Sequence, residues 1–183
     1  HPEWVSCIFE AECGGVVPPD PEDPPWINEI HYDNAGADEG EGFEVAGPGG
    51  SNVSGFRVVH YNGNGGGVID SVDLTGVLED DGSGYGFLFF AWSPLQNGPA
   101  DGLALISPGD EVLEFLSWEG SVTATSGEAS GMTSTDVGVE ESGSTPVGQS
   151  LARVGWGSEG SDFDGAAGQA ASPGEVNSGQ FPV

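Results

Sequence analysis

Gly102-Leu103-Ala104-Leu105-Ile106-Ser107, then Pro108-Gly109-Asp110, then Glu111-Val112-Leu113-Glu114-Phe115-Leu116-Ser117-Trp118 read together as two strands joined by a tight turn. Pro presets the backbone for a turn, and Gly and Asp accept the conformations that close it, so the two apolar runs form a hairpin. Outward from it, the same pattern recurs. Gly55–Asn62 sets Phe56, Val58 and His60 against Arg57, Val59 and Tyr61, a strand with two distinct faces. Tyr85–Trp92 is the most apolar run and is predicted to lie at the centre of a sheet. Trp26–Tyr32, Phe43–Ala46, Val68–Leu74 and Gln149–Val154 supply further short strands. Glycine-rich or acidic turns separate them at Asp33–Gly42, Gly47–Ser54, Asn62–Gly67 and Glu79–Gly84. No helical period of useful length and no internal repeat is present, so the class is all-β.

Composition agrees. The 183 residues include 33 glycines and 13 prolines, enough to punctuate many short strands. Five Trp and nine Phe supply a core if most of those rings are buried, which excludes a wholly disordered chain. The longest unpatterned stretch, Gly120–Val147, is too long for an idle loop in a compact domain and is expected to wrap the sandwich or carry an insertion. From Phe163 onward small residues dominate.

Residues 1–25 stand apart. Trp4, Val5, Ile8 and Phe9 provide one short strand-like segment. Pro18, Pro19, Pro21, Pro24 and Pro25 make the following stretch an extended, stiff spacer. Cys7 and Cys13 are the two cysteines of the chain, and thiols this close pair as a disulfide in an oxidising compartment. The chain opens at His1 without a methionine and reads as a mature form whose leader has been removed. The expected location is therefore outside the cell or on its surface. No apolar run is long enough for a transmembrane helix, and no membrane insertion is expected.

Charge narrows the partners. Thirty carboxylates face two arginines, Arg57 and Arg153, for a net charge of −28. Such a surface repels phosphate backbones and anionic membranes, so direct nucleic-acid binding is not expected. It also suits a medium of high ionic strength, where like charges are screened.

Trp26-Ile27-Asn28-Glu29-Ile30-His31-Tyr32-Asp33, followed by Gly42-Phe43-Glu44-Val45, resembles the opening of lamin tail domains. Val53-Ser54-Gly55-Phe56-Arg57-Val58 is similar to their next conserved strand. Asp101-Gly102-Leu103-Ala104-Leu105 with Glu111-Val112-Leu113-Glu114-Phe115-Leu116 resembles their hairpin. Gly148-Gln149-Ser150-Leu151-Ala152-Arg153 and Ser172-Pro173-Gly174-Glu175-Val176-Asn177 resemble their closing motifs. The six pieces fall in order over 26–180 and look like the bacterial secreted type. The resemblance implies an immunoglobulin-like β-sandwich over 26–183 behind an extended N-terminal arm, 1–25. It carries no catalytic residues. It also implies a setting beside extracellular nucleases or other hydrolases.

Candidate chemistry is sparse. Of the three histidines, His31 and His60 fall on strands and read as ordinary strand residues. His1, as a free N-terminus, could chelate copper with a second His, but nothing else resembles enzymes that do so. No serine has the strained-turn setting of a nucleophile. Asp33, Asp38, Glu39, Glu41 and Glu44 crowd one glycine-rich loop, the oxygen-rich setting that calcium accepts, though not at EF-hand spacing. Asp80-Asp81 and Asp162 with Asp164 are weaker candidates. The expected function is that of a non-enzymatic extracellular structural protein, self-assembling into a filament or surface layer through its arm. The alternative is a secreted binding or adhesion module, or an accessory domain of an extracellular hydrolase.

Overall fold

The computed structural model describes residues 19, 20 and 22–183. The predicted Cys7–Cys13 disulfide, the arm residues Trp4, Val5, Ile8 and Phe9, and His1 lie outside the described residues.

Among the described residues, eleven strands form two sheets packed face to face, an all-β sandwich. They are β1 (Trp26–His31), β2 (Gly42–Pro48), β3 (Arg57–Tyr61), β4 (Val68–Asp73), β5 (Tyr85–Ala91), β6 (Gly102–Ile106), β7 (Val112–Ser117), β8 (Thr135–Asp136), β9 (Gln149–Gly157), β10 (Asp164–Ala170) and β11 (Gln180–Pro182). The first sheet runs β10-β9-β1-β2-β5, with β11 parallel to the far end of β9. The second runs β4-β3-β6-β7-β8. The hairpin expected from Gly102 to Trp118 is β6–β7, with Leu103 opposite Leu116 and Asp110 turning at φ 63°.

Between the sheets, Ile27, Ile30, Phe43, Val45, Val58, Leu103, Leu105, Leu116 and Leu151 interlock with the Tyr32–Trp118 ring stack, 4.7 Å between centroids. Each sheet also has a roofed outer face. On the second, Val59, Tyr61, Ala104, Ile106 and Phe115 are covered by Val122, Ala124 and Ala129. The long stretch after Gly120 therefore wraps the sandwich, closed by a Thr123–Thr133 bridge. On the first, Trp26, Ala46, Tyr85, Phe87 and Phe163 form a separate apolar layer.

Roofing explains one correction. Tyr85–Trp92 does not lie at the centre of a sheet; β5 is the edge of the first sheet, paired with β2. It is apolar on both faces because Leu88 and Phe90 pack toward the central core while Tyr85 and Phe87 pack into the outer layer. Against one face of β5, Gly86 lies on the backbone of Leu78 and Glu79, too close for a Cβ. A second departure is β10, whose Gly and Ala residues give no alternation to read, yet which pairs with β9 from Asp164 to Ala170.

β1 carries a bulge. Ile27 pairs with Val45, but Glu29 pairs with Glu44, leaving Asn28 as the extra residue. The bulge lets Ile27 and Ile30, three residues apart, both enter the core. It also sends Glu29 outward, opposite Glu44.

Candidate functional site

The acidic loop between β1 and β2 does not gather its carboxylates at one point. Asp33 and Asp38 are neighbours, and the Asp33 carboxyl is raised by desolvation and by Asp38. The Asp38 carboxylate accepts from the Asn34 amide at 3.2 Å and from Asn97 Nδ2 at 3.2 Å. The Glu39 side chain is exposed, and its backbone serves the loop. Glu41 turns into the protein, where it accepts from Ser93 Oγ and from the Leu95 amide. Glu44 leaves the loop for the outer face of the first sheet. Among the described residues, no three His, Cys, Asp or Glu side chains are grouped to hold a metal ion. Asp80 and Asp81 accept the amides of their own turn, and Asp162 does the same for Ser158 and Glu159.

The sequence reading of the loop missed its central group. His31 Nδ1 meets Glu141 Oε1 at 2.8 Å, and Nε2 faces Asn34 Oδ1 at 3.2 Å and the Glu39 carbonyl at 3.0 Å. Both ring nitrogens face acceptors, so the ring is an imidazolium, pushed up to about 9 mainly by its hydrogen bond to Glu141. The other Glu141 oxygen accepts the Tyr32 and Asp33 amides at 2.7 and 3.0 Å. This buried pair pins residues from the end of the long wrapping stretch onto β1. Nothing in the spacing of His31 and Glu141 signals it.

A second buried network closes the outer face of the first sheet. Ser172 donates through its amide and its hydroxyl to Glu29 Oε2, at 3.1 and 2.9 Å. The Gly174 amide donates to Glu44 Oε2 at 2.6 Å, and Asn28 Nδ2 to Glu44 Oε1 at 3.0 Å. Asn28 Oδ1 accepts from Gln180 Nε2 at 2.6 Å and from Trp26 Nε1 at 3.2 Å. Asn177 Nδ2 donates to the carbonyls of Asn28 and Arg153. The segment from Ser172 to Gln180 is thus fastened to β1, β2 and β9. Burial raises the Glu29 carboxyl, and raises Glu44 to about 8.

A cleft of about 480 Å³ runs along the seam where β1 and β9 approach β7 and β8, bounded by Leu113, Phe115, Val137, Val139 and Leu151. Its polar groups already serve one another. Arg153 Nε donates to the Ile27 carbonyl at 2.7 Å, one terminal nitrogen to Glu114 at 2.5 Å and the other to the Gly160 carbonyl. Glu114 also accepts the Ile27 amide at 2.7 Å. His60 lies in the core beside Trp92 and Trp118, and neither ring nitrogen has a hydrogen-bond partner among the described residues. Burial pushes it down to about 4, so the ring is neutral.

One surface feature breaks the pattern. Trp156 on β9 and Phe181 on β11 are register partners, their rings stacked at 4.5 Å and 19°. They remain 67% and 47% exposed. The sequence hint was Gly155-Trp156-Gly157, a large ring with no apolar neighbour in the chain.

Comparison with protein-family models, with curated proteins and with solved structures finds no match for this chain. What fold and geometry define is a two-sheet sandwich with both outer faces roofed and its loops fastened by buried ionisable side chains.

Proposed function

We propose that this is a non-enzymatic extracellular structural subunit of the lamin-tail type, which assembles with copies of itself through the 1–25 arm. One observation supports the reading above others: the buried ionisable groups are used as fasteners. His31 with Glu141, Glu29 and Glu44 with the 172–177 segment, and Glu114 with Arg153 each join parts of the chain remote in sequence. Charge spent in this way makes a rigid body rather than a reactive pocket. Among the described residues, β4 and β10 each have one neighbour and end a sheet. An edge of this kind accepts an added strand, and Trp4, Val5, Ile8 and Phe9 are the segment that would supply it. A contact that passes from each copy to the next gives a filament when the rotation does not close. Salt or calcium would screen the repulsion between copies.

Negative-stain microscopy of the full chain, with and without a calcium chelator, tests the reading. Filaments or regular arrays that vanish in the Val5→Pro/Ile8→Pro variant support it. Isolated particles of one domain's size in every condition contradict it.

The exposed Trp156–Phe181 pair favours a second reading, a secreted binding or adhesion module, including the accessory domain of an extracellular hydrolase. A scaffold of this net charge has little reason to leave two stacked rings in solvent unless something covers them.

A further inference from the structure

The Trp156–Phe181 pair is held on a firm base. The Gly155 amide donates to the Gly179 carbonyl at 2.9 Å, and the Val183 amide to the Gly157 carbonyl at 2.9 Å. Tyr85 Oη donates to the Val183 carbonyl at 2.9 Å, and Asn177 Nδ2 to the Arg153 carbonyl at 3.2 Å. The rings therefore project from a strand pair anchored on both sides. Of the other described tryptophans, Trp26 and Trp118 are buried and Trp92 half-buried. Val176, at the start of the same strand's approach, is also exposed.

Charge decides what such a surface can take. Thirty carboxylates face two arginines. Arg57 is held by Asp110 at 2.8 Å and Glu128 at 2.5 Å, and Arg153 by Glu114. Among the described residues, no arginine or lysine is left to receive an anionic partner. A second copy of this sandwich brings the same negative surface and gains nothing at this spot. Asp162 packs against Gly157, the residue after Trp156, and with Asp23 acts electrostatically on Tyr85, whose hydroxyl holds Val183. Glu159 lies on the exposed turn that follows β9. An exposed indole on a scaffold of net charge −28 attracts a guanidinium or ammonium group more strongly than either feature alone. Arginine and tryptophan are also the side chains that most often anchor protein interfaces.

We propose that the stacked Trp156–Phe181 pair anchors a docking surface for a cationic, arginine-bearing protein segment. A guanidinium lies over the free face of the indole, and the negative surface of the sandwich meets the remaining charge. The inference rests on the binding-module reading and adds the chemistry of the partner.

Isothermal titration of the full chain with a short peptide alternating arginine and glycine tests it, at about 0.15 M salt so that diffuse attraction is screened. The same peptide with glutamate for arginine and a soluble neutral polysaccharide serve as comparison probes. The expected result is binding of the arginine peptide alone. Trp156→Ala/Phe181→Ala should weaken it about tenfold or more, and Trp156→Tyr should largely restore it. Asp70→Asn/Asp73→Asn, on the exposed β4 of the other sheet, should leave it nearly unchanged. Equal binding by wild type and Trp156→Ala/Phe181→Ala would overturn the inference, because the peptide would then be held by net charge anywhere on the surface. Binding of the neutral polysaccharide in place of the peptide would also overturn it while sparing the binding-module reading. Binding of none of the probes would remove both.

Discussion

Glu29 and Glu44 stand opposite each other across β1 and β2, and both carboxyls are buried beneath the segment that begins at Ser172. Two carboxylates so placed do not ionise independently, and here burial dominates both. Glu44 keeps its proton at neutral pH. The pair is stable because backbone amides of the covering segment donate to it.

The pH dependence of stability follows. Folded Glu44 holds a proton up to about 8, whereas the unfolded chain releases it near 4.5. Between these values the folded state binds more protons, so stability falls as pH rises, by roughly 5 kcal/mol over the whole window at about 1.4 kcal/mol per unit. Glu29, also raised, adds in the same direction. Glu44→Gln should flatten this slope, at a cost of about 1 kcal/mol at low pH for the Gly174 amide left with a poorer acceptor. Thermal melts of both proteins from pH 4 to 9 check it; parallel curves would refute it.

His31 adds to alkaline loss. Its contribution is complete below 6.5 and disappears as pH rises through about 9. Glu141→Gln should cost about 3 kcal/mol at pH 6 and much less at pH 10, since a buried ion pair broken on one side leaves the other charge uncompensated. Denaturant melts at the two pH values measure the difference. The loop at 138–142 should also become susceptible to protease.

His60 acts on the acid side. The unfolded chain takes up a proton near 6.5 and the folded chain near 4, so stability is complete above 6.5 and is lost as pH falls toward 4. The loss amounts to about 3 kcal/mol. Between pH 6.5 and 4.5 this loss offsets the gain from Glu44, so His60→Leu should leave stability rising as pH falls through that range. A variant that still follows the wild-type curve there would place the acid-sensitive group elsewhere.

Arg153 is a fastener rather than a ligand-binding group. Arg153→Met should cost about 2 kcal/mol or more because the part-buried Glu114 loses its partner, and Arg153→Met/Glu114→Met should recover most of that loss. Stability measured by denaturant melts for both variants completes the cycle. Equal stability of Arg153→Met and wild type would show that the guanidinium holds nothing in place.

The β6–β7 hairpin was legible because its apolar runs flank a Pro-Gly-Asp turn and its faces alternate. β1, β2, β3, β4 and β9 were legible for similar reasons. The edge position of β5 was not, because an apolar run records how many faces are buried and not what buries them. Phe87 is covered by Trp26 and Phe163, which are remote in sequence. β10 was hidden by glycine and alanine. The acidic loop looked like a cation site because five carboxylates are close in sequence. The Asn28 bulge and the demands of Ser93, Leu95 and Gly174 draw them apart in space. Contacts such as Ser172 to Glu29 span 143 positions, and no local pattern encodes them.

Buried ionisable groups fasten the loops of this chain to a rigid scaffold, and the carboxyl of Glu44 is where that can be read most directly. Carboxyl ¹³C shifts of the wild type and of Glu44→Gln, followed from pH 4 to 10, isolate its titration. The expected signal is a glutamate, absent from the variant, that remains protonated at pH 7 and titrates near 8, with the Gly174 amide shifting in step. A Glu44 carboxyl that titrates near 4.5, with no response at Gly174, would mean that the covering segment is not fastened there and that the carboxyl holds nothing in place.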